Sequence, residues 1–361
     1  MAATDYPVNH PLAVKRWGKG LLKEALKKTQ AMQYMGSGTN SLIQLKTELS
    51  KAEGDRIRFG LRAQLSGDGV SGDDTAEGNE EALETYSQDV LIDQLRHSVR
   101  SKGKMSEQRV PFTVRDEARD GLADWWAARL DSWFFNVVTG NTSVSDVRYT
   151  GMQAAVAPDA DHLVTPTATS ATNSNLEASL SATSVATFSL AILDKAAERA
   201  KMAKNALRPI RIGGDDYLVA FVHPWQVTAM RTNTNTGQFL DIQKAAMAGS
   251  NATGNPIFTG ALGVYNGIIL KESTRVPIIS TTQVTASATA GVARAVLCGA
   301  QSACIAFGRG YGSATMSWVE ELFDYKNQLG VLAGCIGGMV KTRFNGSDFA
   351  TVVLSTYASQ A

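Results

Sequence analysis

VRDEARDGLADWWAARLDSWFFNVV, residues Val114 to Val138, decides the architecture, because its apolar side chains return every three or four residues over the whole stretch. Ala118, Leu122, Trp125, Trp126, Leu130, Trp133, Phe134, Val137 and Val138 fall on those steps. Asp116 and Glu117 stand in the first turn, where the helix dipole favours acids, and Gly140 follows the last turn. The spacing predicts a single helix about 37 Å long, enough to span a domain. It carries three of the chain's six tryptophans, and an aromatic stripe at this spacing is a packing surface rather than a cofactor box.

Upstream of this helix, RIRFGLRAQLS (Arg56 to Ser66) alternates apolar Ile57, Phe59, Leu61, Ala63 and Leu65 with polar neighbours, the pattern of a half-buried strand. Nine acids and no base then run from Asp68 to Asp93, opening on the turn-rich GDGVSGDDTAEGN. The sign reverses in LRHSVRSKGKMSEQR (Leu95 to Arg109), with five Lys/Arg against one Glu. The acids lack the spacing of a calcium loop, which leaves a solvated hairpin or, more sharply, two complementary faces for copies of the same chain. Asp73, Asp74, Glu80 and Glu81 on one side and Arg96, Arg100, Lys102 and Lys104 on the other are the candidate intersubunit contacts. At the N-terminus, KRWGKGLLKEALKK (Lys15 to Lys28) reads as a short basic amphipathic helix that packs on a neighbour, within an arm covering residues 1–55.

Downstream, residues 139–187 hold five charged side chains in 49 and runs such as TPTATSATNSN, a linker-like composition expected to become ordered against a partner surface. His162 in this stretch is expected to be solvated. A second amphipathic helix is predicted over Leu190 to Leu207, stopped by Pro209, followed by a strand, a Gly-Gly turn and a buried strand over 210–222. Further strands are predicted near Gly267 to Lys271 and Ala293 to Cys298.

Composition narrows the function. The 361 residues exceed one compact core, and Lys+Arg 35 against Asp+Glu 34 leaves a net charge of +1, which excludes a phosphate-gripping protein of the histone kind. Met1 to Pro11 has no apolar run, so no secretory signal is expected. The uncharged stretch Asn327 to Val340 has 14 residues with four glycines and is too short to span a membrane as a helix. Cys298, Cys304 and Cys335 lack metal or redox spacing and read as buried reduced thiols. Only His10, His97, His162 and His223 could serve as a histidine base, and none lies in a nucleophile elbow or zinc helix. His223, before Pro224, reads as a structural histidine, and GRGYGS (Gly308, Gly310, Gly312) departs from a nucleotide loop. No catalytic residue, cofactor or metal is expected, which points to a structural protein.

The order of parts resembles the major capsid protein of tailed phages, with the Hong Kong 97-type fold, an α+β architecture. GNPIFTGALGVYNGIILKESTRVP (Gly254 to Pro277), FDYKNQLGVLAGCIGGMVKTRFNGSDFATVVLSTYA (Phe323 to Ala358) and LVAFVHPWQVTAMR (Leu218 to Arg231) are similar to the N-four-like phage major capsid family. The resemblance implies an N-terminal arm over 1–55, an extended E-loop over 56–111, and a peripheral domain over 112–209 that carries the 114–138 spine helix and the 139–187 insertion. It further implies an axial domain over 210–335 and a return to the peripheral domain over 336–361, with Lys341, Arg343 and Asp348. Since the chain opens on Met1, the N-terminal segment that many relatives lose is not expected here. The implied function is a shell of hexamers and pentamers around double-stranded DNA, with scaffolding, portal and decoration or cement proteins as partners, no membrane, and assembly in the bacterial host cytoplasm. An encapsulin-like compartment, a tail or decoration protein, and a hydrolase resting on His223 are the rival expectations.

Overall fold

The computed structural model describes residues 24–47, 54–62, 69–166, 177, 180, 187–203, 206–233, 263–279, 290–309 and 316–360. Most of the expected basic helix over 15–28 lies outside them, as do residues 63–66 of the first predicted strand, and a helical turn is present at 24–28. The N-terminal part supplies β1 (Met35–Gly36), β2 (Ile43–Lys46), β3 (Arg56–Arg62), β4 (Thr85–Leu91) and β5 (Asp93–Arg100). Then come α1 (Lys104–Gln108), the spine helix α2 (Val114–Val138), β6 (Leu163–Val164) and α3 (Leu190–Met202). The chain continues through β7 (Ile210–Ile212), β8 (Asp215–Val222), α4 (Pro224–Thr232), β9 (Val264–Tyr265), β10 (Ile268–Glu272), β11 (Ile278–Ile279) and β12 (Ala290–Cys298). It ends with β13 (Ala303–Phe307), β14 (Met316–Phe323), β15 (Gln328–Lys341), β16 (Arg343–Phe344), β17 (Ser347–Asp348) and β18 (Thr351–Ser359).

Two sheets carry the fold. The first runs β1-β2-β13-β15-β14, with β5 on the other side of β15, and the second runs β6-β18-β12-β8-β10-β9. Both Phe307 of β13 and Asp93 of β5 register with Gly337, and both Met316 of β14 and Leu95 of β5 register with Cys335. A strand residue has one neighbour on each side, so β13 and β14 follow one another along one edge of β15 while β5 holds the opposite edge. The uncharged, glycine-bearing stretch 327–340 is therefore the central strand of this sheet. Gly338 shows why its glycines are there: a Cβ would lie 1.8 Å from the Leu91 carbonyl oxygen, where the base of the β3–β4 hairpin crosses the sheet.

The spine helix lies between the two sheets. Ala118, Leu122, Trp126, Leu130, Trp133, Phe134, Phe135 and Val138 share one core with Val331, Ala333, Cys335 and Met339 of β15 and with Val219, Phe221, Val296, Cys298 and Val353 of the second sheet. On β8, β12 and β18 the alternate residues Ala220, Val222, Ala295, Leu297, Val352 and Leu354 face the other way, onto Leu193, Ala197, Val227 and Met230 of α3 and α4. Period-two alternation thus gives both faces of the second sheet an apolar cover, which is why LVAFV in β8 is a continuous apolar run. Phe221 meets Phe134, Phe135 and Tyr34 edge-on at 5.6, 5.5 and 6.1 Å between ring centres.

The lobes interleave along the chain. Residues 210–335 contribute β8, β10 and β12 to the second sheet but β13, β14 and most of β15 to the first, and 336–361 is shared between β15 and β18. The arm ties both lobes together: β2 pairs in parallel with β13, Asp131 of the spine helix accepts backbone N–H bonds from Gln30 and Ala31, and the Asn40 amide exchanges two bonds with the backbone of Arg211. With Phe221 filling the joint, Phe221→Ala should cost about 3–5 kcal/mol of stability. Chemical denaturation should show a single shifted transition, because the cavity opens against both sheets at once.

Candidate assembly surface

β3 and β4 pair antiparallel from Arg56↔Leu91 to Arg62↔Thr85, and Ile57, Val90 and Ile92 bury against Cys304, Ala306 and Val340 of the first sheet. Across the hairpin, registered Arg58 and Asp89 join through two bonds of 2.7 and 2.9 Å, which hold the Asp89 carboxyl below its usual range. Beyond the paired strands, residues 69–84 are exposed throughout and form no regular element. Asp73, Asp74, Glu80 and Glu81 all stand on this excursion, together with the exposed side chains of Val70 and Leu83.

The four basic candidates stand elsewhere, at the far end of the first sheet. Arg96 and Arg100 are exposed on β5, on the face away from the spine helix, because Leu95 and His97 on either side of Arg96 point to it. Gly330 gives room to the Phe323 ring, whose edge lies 2.6 Å from where a Cβ would be, and the Arg100 guanidinium lies 4.3 Å above that ring. Lys102 and Lys104 are exposed at the turn into α1, where the Lys102 carbonyl accepts from Gln328 and the Lys104 N–H donates to Asn327. Exposed Met105, Leu322 and Tyr325 lie on α1 and the β14–β15 hairpin, in the same region. The fold thus gathers the bases into one patch and the acids onto one excursion. Among the described residues, Asp73, Asp74 and Glu80 make no ion pair with Arg96, Arg100, Lys102 or Lys104.

The family model described as phage capsid protein matches residues 5–360. The chain belongs to the phage capsid protein family. It is 27% identical over 362 residues to a major capsid protein of Pseudomonas phage KPP25, covering 93% of each chain. Its fold superposes on the capsid of Ralstonia phage GP4 with a TM-score of 0.75 and 34% identity, over 99% of each chain. The capsid of cyanophage Pam1 matches in fold with a TM-score of 0.72 at 20% identity, over 92% of this chain and 93% of that one. The protein is a phage major capsid protein of the Hong Kong 97-type fold, a structural component of the virion capsid rather than an enzyme.

Several polar groups of this capsid protein sit where sequence reading did not place them. His162, expected to be solvated, is instead fully buried, and its Nδ1 lies 2.7 Å from the Asp159 carboxylate. The correction has a structural cause: Asp159 also accepts the Asp348 N–H at 2.8 Å, which folds the loop onto the end of β17. Burial opposes the charge on Asp159, but its bonds to His162 and to the Asp348 backbone hold its pKa well below the usual carboxylate range. Asp348 is buried between Lys341 and Arg343, each 2.8 Å away. Burial lowers the Lys341 pKa against the pull of Asp348, and removal of either partner would leave an uncompensated buried charge.

A second cluster joins the insertion to the second sheet. Arg294 on β12 pairs with Glu177 through two bonds of 2.9 and 2.6 Å, and Ser355 donates to the same carboxylate. The Arg294 guanidinium also donates to the Thr139 and Gly140 carbonyls, so it caps the C-terminus of the spine helix. Only the lone charge at Glu177 in a Thr/Ser-rich run hinted at this contact. Cys298, Cys304 and Cys335 are buried free thiols, and burial pushes Cys298 and Cys335 up to about 12. Among the described residues no group of His, Cys, Asp or Glu is placed to hold a metal, and no helix is long and apolar enough to cross a membrane.

His223 is the N-cap of α4. Its Nδ1 accepts the Trp225 N–H at 3.2 Å, while Gln226 accepts the His223 N–H and donates to Ala293 and Thr356. Burial lowers the His223 pKa from 6.5 to about 4, so the unfolded chain takes up the proton first as pH falls. The stability this supplies is complete above pH 6.5 and is lost as pH falls toward 4. His223→Asn keeps an acceptor for the cap without a titrating ring. Denaturation measured between pH 7 and 4 should show a flatter decline for His223→Asn than for the natural chain.

Proposed function

We propose that this capsid protein assembles as hexamers and pentamers into the icosahedral shell that encloses the double-stranded DNA genome of a tailed bacteriophage. The observation that carries the reading is the separation of charge within one copy: among the described residues, Asp73, Asp74 and Glu80 on an exposed acidic excursion make no ion pair with the exposed basic patch. Asp73, Asp74, Glu80 and Glu81 of one copy would meet Arg96, Arg100, Lys102 and Lys104 of the next. The β3–β4 hairpin serves as the E-loop. Residues 112–209, with the spine helix, would form the peripheral domain, residues 210–335 the axial domain, and residues 336–361 the return to the peripheral domain. Assembly takes place in the bacterial host cytoplasm around a separate scaffold, with portal and decoration or cement proteins as further partners. A net charge of +1 suits a container that must not hold packaged duplex by salt-dependent phosphate contacts.

Exposed ion pairs contribute about 0.2 to 1 kcal/mol each, so their effect on a shell arises from repetition over many copies. Asp73→Lys with Asp74→Lys should leave the thermal stability of the subunit within error and lower the yield of closed shells, with a weaker salt dependence. Negative-stain microscopy of the natural and variant chains, expressed with their neighbouring genes, counts the shells. Equal yields would remove the charge contact, and small oligomers from the natural chain would remove the shell reading.

A further inference from the structure

β18, TVVLSTYAS, has no charge and no proline and is rich in β-branched side chains. A strand of this composition at an open sheet edge is a template for pairing with its like, since nothing on it repels a second copy. One edge of β18 is occupied along its whole length by β12, from Cys298↔Thr351 to Ala290↔Ser359. Described residues of the Thr/Ser-rich insertion hold the other edge. Leu163 and Val164 pair in parallel with Val353 and Leu354, and Thr187 forms a parallel bridge with Tyr357.

Between these pairings, Glu177 binds Ser355 and Arg294, and Leu180 packs on Val292 and Tyr357. The contacts advance in step: 163, 164, 177 and 187 meet 353, 354, 355 and 357. At its start the segment is fixed by the two hydrogen bonds between Asp159 and Asp348, of 2.8 and 3.4 Å. The segment is therefore fastened by backbone pairing, a partly buried ion pair and an apolar contact, all directed at one strand edge.

We propose that residues 159–166, 177, 180 and 187 form a guard on the outer edge of β18 that keeps the second sheet of one copy from being extended by β18 of another. Among the described residues its pairings are short, a two-residue strand and one bridge, and offer no long strand edge of their own. During shell assembly, which rests on the reading above, copies meet at high local concentration, and an open uncharged edge would divert them into sheet-edge polymers.

The test compares the natural chain with Leu163→Pro/Glu177→Ala, which removes a backbone donor and the carboxylate, and with the milder Glu177→Gln. Hydrogen exchange over residues 351–359 and sedimentation velocity are measured on dispersed subunits, so neither readout depends on whether shells form. The double variant should exchange about tenfold faster over 351–359 when dilute and regain protection as concentration-dependent oligomers appear. A synthetic peptide of residues 159–189 in excess should suppress those oligomers, and Glu177→Gln should fall between the two. Faster exchange with the oligomer distribution of the natural chain would overturn the proposal. So would oligomers that the peptide leaves unchanged, or an insoluble double variant beside a Glu177→Gln chain that matches the natural one in both measurements.

Discussion

The burial of one helix between two sheets is the constraint on which the rest of this capsid protein depends. Phe134 and Phe135 are fully buried, and their aromatic partner Phe221 belongs to the second sheet while Cys335 and Met339 in the same core belong to the first. A helix in this position cannot shift without opening both lobes, because interiors are close-packed and compensate poorly for lost volume. Other links converge on the same rod. Asp131 holds the arm, Arg294 caps its C-terminus from the second sheet, and Arg115 in its first turn reaches the buried Glu320 of β14 at 2.7 Å.

From that constraint follows the division between rigid and projecting parts. Cores on both sides of the second sheet leave few surfaces able to project, and the β3–β4 hairpin does so because its base alone is buried, over Ile57, Val90 and Ile92. The glycines of β15 make this crossing feasible. Without side chains at Gly338 and Gly330, the strand lets the hairpin base pass on one stretch and lets Phe323 and Arg100 lie flat on another. The same central strand thus seats the hairpin that leaves the subunit and supports the basic patch.

Local periodicity was legible wherever packing repeats along the chain. The spine helix spans Val114–Val138 as its stripe predicts, and β7, the Gly213–Gly214 turn and β8 follow the Ile210 to Val222 reading. The helix predicted to Leu207 stops at Met202, where Ala203 turns to extended backbone ahead of Pro209. What could not be read locally is what depends on partners far along the chain. Stretch 327–340 has neither helical nor alternating periodicity because both of its faces are covered, and its role as central strand comes from neighbours up to 244 residues away. His162 illustrates the same limit: a polar loop residue becomes a buried one only because Asp348, 189 positions beyond Asp159, accepts the fold-back. The acidic and basic blocks were visible as charge runs, but that Asp73, Asp74 and Glu80 make no ion pair with Arg96, Arg100, Lys102 or Lys104 among the described residues required the structure.

Charge is distributed to match. Surfaces left open carry it: the 69–84 excursion is acidic, and β5 with α1 is basic. The uncharged strand β18 is instead occupied on both edges within its own chain. Charged contacts are individually weak and can form, break and re-form while copies find their register, whereas sheet-edge pairing is cooperative and reverses slowly. A protein that must close a shell from many copies gains from leaving the first kind of surface available and withholding the second. The low-complexity insertion fits that division, since a polar segment can cover an apolar edge without creating a new one.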